Sequence, residues 1–211
     1  MIKKFAPLTG AAFFVLLLVS FLVGNNSLKG SSSGAKVLAH YAAHRNSTRV
    51  DGVLTVLAVF VGVIFFGFLR DYLRRHEAVR GWTATAFGGA LIFAASGGLS
   101  AGLDFAFTDS PSHLSASAAQ ALNLISMDMT IGLTLAGLSV MFFAFGMAIV
   151  QSALLPAWLG WVAFLLALCA LITPIGFAAF IGAGVWTLIV SIVMWQRMTQ
   201  PETSVTAPEP A

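Results

Sequence analysis

The stretch that decides the fold is Met129–Gln196, MTIGLTLAGLSVMFFAFGMAIVQSALLPAWLGWVAFLLALCALITPIGFAAFIGAGVWTLIVSIVMWQ, 68 residues without one Asp, Glu, Lys or Arg. A water-facing surface cannot be assembled from such a run. Working outward, Phe5–Leu28, Gly52–Leu69 and Gly81–Leu103 are equally free of charge. Over all 211 residues, 58% are hydrophobic and 9% charged, against about 25% charged in a soluble domain. The composition predicts an all-α, polytopic membrane bundle whose first partner is the lipid bilayer. A net charge of +3, with basic residues flanking apolar runs and gathering on no single face, argues against nucleic acid as a partner.

About 20 apolar residues cross a ~30 Å hydrocarbon core. The runs therefore read as six spans near 6–24, 50–69, 82–104, 124–150, 156–173 and 177–196. Within the long run, one break is signalled by Gln151, Ser152 and Pro156 ahead of Trp158 and Trp161, the other by Pro174, Gly176, Gly182 and Gly184. Residues 35–45 read as an amphipathic helix on the outer surface, with Val37, Leu38, Tyr41 and Ala42 on one side. The whole of 1–200 forms one transmembrane domain, and the Pro-rich 201–211 reads as a disordered cytoplasmic tail. Lys3 and Lys4 before Ala11–Val23 also resemble the start of a secretory signal. No small-x-small site sits just beyond Val23, the nearest, Ser33 and Ala35, lying about ten residues too far, so an uncleaved anchor is expected.

Counting Lys and Arg beside the spans gives the orientation. An N-in, C-in chain places Lys3, Lys4, Arg70, Arg74, Arg75, Arg80 and Arg197 inside, and Lys29, Lys36, Arg45 and Arg49 outside. Asp51, Asp104, Asp109, Asp128, His40, His44 and His113 then gather at the outer rim. Asp128 and Asp104 become the candidates for an ion or proton site, because a carboxylate at a membrane helix is costly unless it has a task. His40 and His44, four apart on a helix, form a metal half-site, with His113 as a candidate third ligand. For helix packing, Ala86, Ala90, Ala94, Gly98 and Gly102 repeat every four residues, the small-residue stripe that lets membrane helices approach closely.

Other chemistries lack their parts. No His lies in a predicted span to ligate haem, Cys169 is the one cysteine, and no Gly-rich phosphate loop is present. No cofactor is expected. Val37-Leu38-Ala39-His40-Tyr41-Ala42-Ala43-His44-Arg45 and Leu154-Leu155-Pro156-Ala157-Trp158-Leu159-Gly160-Trp161 resemble a family of small multi-pass membrane proteins, frequent in actinobacteria and catalogued as a domain of unknown function. That resemblance implies a helical membrane fold in a bacterial plasma membrane and brings no catalytic residue. The function expected first is a non-enzymatic accessory, assembly or sensing component, partnered by another membrane protein or a second copy. A small transporter or channel with an outer acidic vestibule is the alternative, and an outer-face metal-dependent enzyme the third reading.

Overall fold

The computed structural model describes residues 5–24, 28–109, 113–172 and 176–199, and of Met129, Thr130 and Phe177 only the backbone. The expected tail at 201–211 lies outside the described residues. The chain is all-α: α1 Leu8–Gly24, α2 Gly34–Ala43, α3 Arg45–Leu73, a 3-10 turn Glu77–Val79, α4 Arg80–Asp109, α5 Ala116–Ser152, α6 Ala157–Leu171 and α7 Gly176–Thr199. α3, α4, α5 and α7 are long and apolar enough to cross a membrane, while α1 and α6 are apolar but shorter, at 17 and 15 residues. Side chains on the outside confirm which solvent the fold expects: Phe60, Trp161 and Leu171 are 64%, 63% and 69% exposed. Polar groups such as Ser20, Ser96, Thr187 and Ser191 are buried. This is a membrane protein.

Local chemistry sets the helix ends. Ser115 opens α5 in extended conformation and its Oγ accepts from the Ala118 N–H at 3.2 Å. α5 stops at Ala153, which takes the left-handed conformation (φ 51°), and Pro156 precedes α6 at the break the sequence signals. α3, α4, α5 and α7 outrun the predicted spans because apolar length measures the buried part only, while α1 and α6 fall slightly short of theirs. α5, at 37 residues, is about 55 Å long.

α1, α3, α4, α5, α6 and α7 form a closed ring, each antiparallel to the next, with α7 returning to α1. Phe13 of α1 meets Gly62 of α3, Val59 of α3 meets Gly97 of α4, and α4 and α5 come closest where Gly89 and Gly137 lie on each other's backbone. Gly146 and Gly160 do the same between α5 and α6, and Trp186 of α7 donates its indole N–H to the Leu159 carbonyl of α6 at 2.9 Å. The ring closes through Ser191, which donates to the Pro7 carbonyl at 2.5 Å and accepts from the Ala11 N–H at 3.2 Å. One buried hydroxyl on the last helix thus caps the first, and α1 is built into the bundle.

Of the small-residue stripe, Ala86 and Ala90 are buried against the neighbouring helix. Gly98 and Gly102 are exposed, and a side chain added there would meet nothing. A strict repeat of four drifts by about 40° per step on a helix of 3.6 residues per turn, so five positions sweep off any one interface. The close approach falls instead on Gly89 and Gly137, at 2.5–3.0 Å for an added Cβ against backbone atoms.

Candidate functional site

The interior of the ring has two unlike halves. Toward the arginine-rich end, where α3 finishes, Phe65, Phe66, Phe142, Phe145, Met141 and Trp186 fill it. Toward the α2 end, the inward positions change type. On α3 they are Asp51, Thr55 and Ala58; on α4, Phe93, Gly97, Ser100 and Asp104; on α5, Asn123, Met127, Ile131 and Thr134. Steps of four and three keep each set on one helix face. These faces, with Ser20 and Leu17 of α1 and Phe180 of α7, enclose a cavity of about 430 Å³.

Two hydroxyl relays knit its walls. Ser20 donates its one proton to Asp51 Oδ1, so the 2.9 Å contact between Ser20 and Thr55 is donated by Thr55. In the same way Ser96 gives its proton to the Phe93 carbonyl at 2.9 Å and receives one from Thr134 at 2.7 Å. The first relay joins α1 to α3, the second α4 to α5. Asn123, 3% exposed, donates from Nδ2 to the carbonyls of Lys29 and Gly30 at 3.2 and 3.4 Å, and so ties the loop before α2 onto α5.

α2 roofs this end. Val37 is fully buried with Leu103, Phe107 and Ala119 in a small second core, and Tyr41 stacks on Phe107 at 4.2 Å with the rings 4° from parallel. The first residue of α2, Gly34, lies against the Ala116 carbonyl and has no room for a side chain. Tyr41 faces the cavity, and burial, with the charges of Asp104 and then Asp51, pushes its phenol from 10 up to about 12. It therefore stays a neutral hydrogen-bond donor at physiological pH.

The expected site residues are divided by this geometry. Asp104 lines the cavity, but its companion is Asp51; Asp128 is exposed and lies outside the lining. His40 and His44 are neighbours, with ring centroids 4.5 Å apart, and His44 Nδ1 donates to the His40 carbonyl at 3.0 Å. His40 lines the cavity, whereas His113 is exposed in the α4–α5 connection. Among the described residues no three His, Cys, Asp or Glu side chains are grouped to hold a metal ion, so the expected His40–His44–His113 trio is not assembled.

No family model, curated protein or solved structure matches this chain. The site is therefore read from its own residues. Asp51, Asn123, Ser100 and Tyr41 line the cavity and are not among the site residues expected from the sequence. The signal was present as polar residues three or four apart inside apolar runs, the mark of a polar face turned into a bundle.

Proposed function

We propose that this chain is a six-span protein of a bacterial plasma membrane, N-in and C-in, that binds a small solute in the cavity at its α2 end, as a small transporter or as a solute sensor. The carrying observation is the cavity itself: Asp51, Asp104 and Asn123, with several hydroxyls, face one 430 Å³ space inside a bundle whose exterior is apolar. Polar and ionisable groups held inside a membrane bundle are costly, and solute sites are where that cost has a use.

The order of helices around the ring supports six spans. α5 and α7 run in the same direction and are joined by α6, so α6 must return the chain across the bilayer if both of them cross. α1, antiparallel to both α3 and α7, stands in the same relation. The positive-inside bias supports the orientation: Arg70, Arg74, Arg75, Arg80 and Arg197 belong to one end, which leaves the cavity facing outward. The plasma-membrane assignment rests on the likeness of residues 37–45 and 154–161 to small multi-pass bacterial proteins. An assembly role leaves the cavity without a purpose, whereas transport and sensing both begin with binding in it.

The test is a thermal-unfolding screen of the purified full-length protein in detergent against water-soluble amines, amino acids, sugars and carboxylates. At least one class is expected to raise the midpoint in a concentration-dependent way, and the rise is lost in Asp104→Asn. A screen with no shift, or a shift that persists in Asp104→Asn, rejects the reading.

A further inference from the structure

We infer that the cavity is built for an organic cation with an apolar body, its charged head lodged between Asp51 and Asp104 and its body on the ring faces of Phe13, Phe93 and Phe180. This deepens the solute-binding reading and rests on it.

Charge is the first ground. Among the described residues the lining contains two carboxylates and no Lys or Arg, and its phenol, Tyr41, is neutral. His40 also lines the space. The surface pair Arg49–Asp109, 3.4 Å apart, lies outside the cavity and offers its carboxylates no neutralisation.

Hydrogen-bond capacity is the second ground. Ser20 satisfies Oδ1 of Asp51. Among the described residues no donor is hydrogen-bonded to the Asp104 carboxylate, and none to the Oδ1 of Asn123, although that side chain is 97% buried and its Nδ2 is engaged. Each of these unmet atoms is an acceptor. Buried acceptors call for a donor or a positive charge.

Shape is the third. Polarity falls with depth, from Asp51, Asp104 and Asn123 near the roof to a floor where Phe93 lies 6.3 Å from both Phe13 and Phe180. Aromatic faces accept both an apolar body and the methyl groups of an ammonium. At 430 Å³ the space is of the size that holds small organic ligands, roughly 300–1,000 Å³. Among the described residues no three His, Cys, Asp or Glu side chains are grouped to hold a bare metal ion.

The experiment measures equilibrium binding to the full chain in lipid nanodiscs with three probes. Benzyltrimethylammonium carries head and body, tetramethylammonium the head alone, and phenylmethanesulfonate the same body with the opposite charge. One saturable benzyltrimethylammonium per chain is expected, with tetramethylammonium about tenfold weaker or more and no saturable binding of the sulfonate. Asp104→Asn is expected to weaken benzyltrimethylammonium by about tenfold or more, while the exposed control Asp109→Asn leaves it unchanged. The three-probe comparison on the unaltered protein stands even where a variant fails to fold. Sulfonate binding equal to or tighter than the ammonium overturns the cation assignment while leaving the cavity a binding site. Equal affinity for tetramethylammonium overturns the role of the aromatic floor. Absence of benzyltrimethylammonium binding overturns the inference outright, and the solute screen then judges the broader reading separately.

Discussion

The two halves of the ring interior hold comparable lengths of the same helices and are filled in opposite ways. At the arginine-rich end the inward side chains are Phe, Trp, Met and Leu, and the pocket left beside them is a void of about 10 Å³, with Thr187 the one polar side chain lining it among the described residues. At the α2 end the inward side chains are Asp, Asn, Ser and Thr, and about 430 Å³ stays open. Lipid supplies little drive for helices to associate, so stability comes from close packing and from a few buried hydrogen bonds. The first half carries most of that packing, which leaves the second free to present polar groups without closing over them.

The difference can be broken most severely by emptying the filled half. Trp186→Ala removes a fully buried ring packed on Phe142 at 4.9 Å and leaves the Leu159 carbonyl without its donor, and is expected to cost about 3–5 kcal/mol in reversible unfolding. Ser100→Ala in the open half should stay within about 0.5 kcal/mol.

Next in size is the helix contact that holds both halves. Gly137→Ala drives a methyl into the Phe93 backbone at 2.6 Å and is expected to destabilise by about 1–3 kcal/mol, read as a lowered unfolding midpoint. Gly98→Ala and Gly102→Ala, facing open space, should be neutral or gain up to about 1 kcal/mol from helix propensity. Equal losses at Gly98 and Gly137 would return the packing role to the four-residue stripe.

The relays sharpen the comparison more finely. Ser20→Ala takes away the donor to Asp51 and the acceptor for Thr55, with an expected cost of about 1–2 kcal/mol by thermal unfolding. The smallest effect belongs to Asp128→Asn, exposed and outside the lining, which should change neither stability beyond about 0.5 kcal/mol nor solute binding.

The sequence was most legible where one physical quantity dominated. Runs free of charge located each apolar helix, and Pro156 located the break ahead of α6, because apolar length and helix punctuation act locally; Gly182 and Gly184, expected at the second break, lie inside α7. The surface helix at 35–45 emerged at Gly34–Ala43 for the same reason. Site geometry was legible only in part, since it depends on the angle at which each helix faces its neighbours. Asp104 was singled out and lines the cavity, but pairing it with Asp128 took rim depth as the criterion, where helix face decides. Asp51 is set by α3 rotating its 51–55–58 face inward, and His113 is carried away from His40 and His44 by the connection after α4. Gly89 and Gly137 meet because two helices cross there, which no pattern within one helix reports.

The most direct test of the central claim, that an outward-facing, cation-favouring cavity lies at the α2 end, is thiol accessibility in intact cells. Cys169 is the chain's one cysteine and lies outside the lining, so Cys169→Ala gives a clean background. In that background Ser100→Cys should be modified by a membrane-impermeant trimethylammonium-ethyl methanethiosulfonate added outside, about tenfold faster or more than by its sulfonate counterpart. Ala148→Cys, in the filled half and fully buried, should remain unmodified. A Ser100→Cys protein that resists both reagents, or reacts faster with the anionic one, would contradict the account.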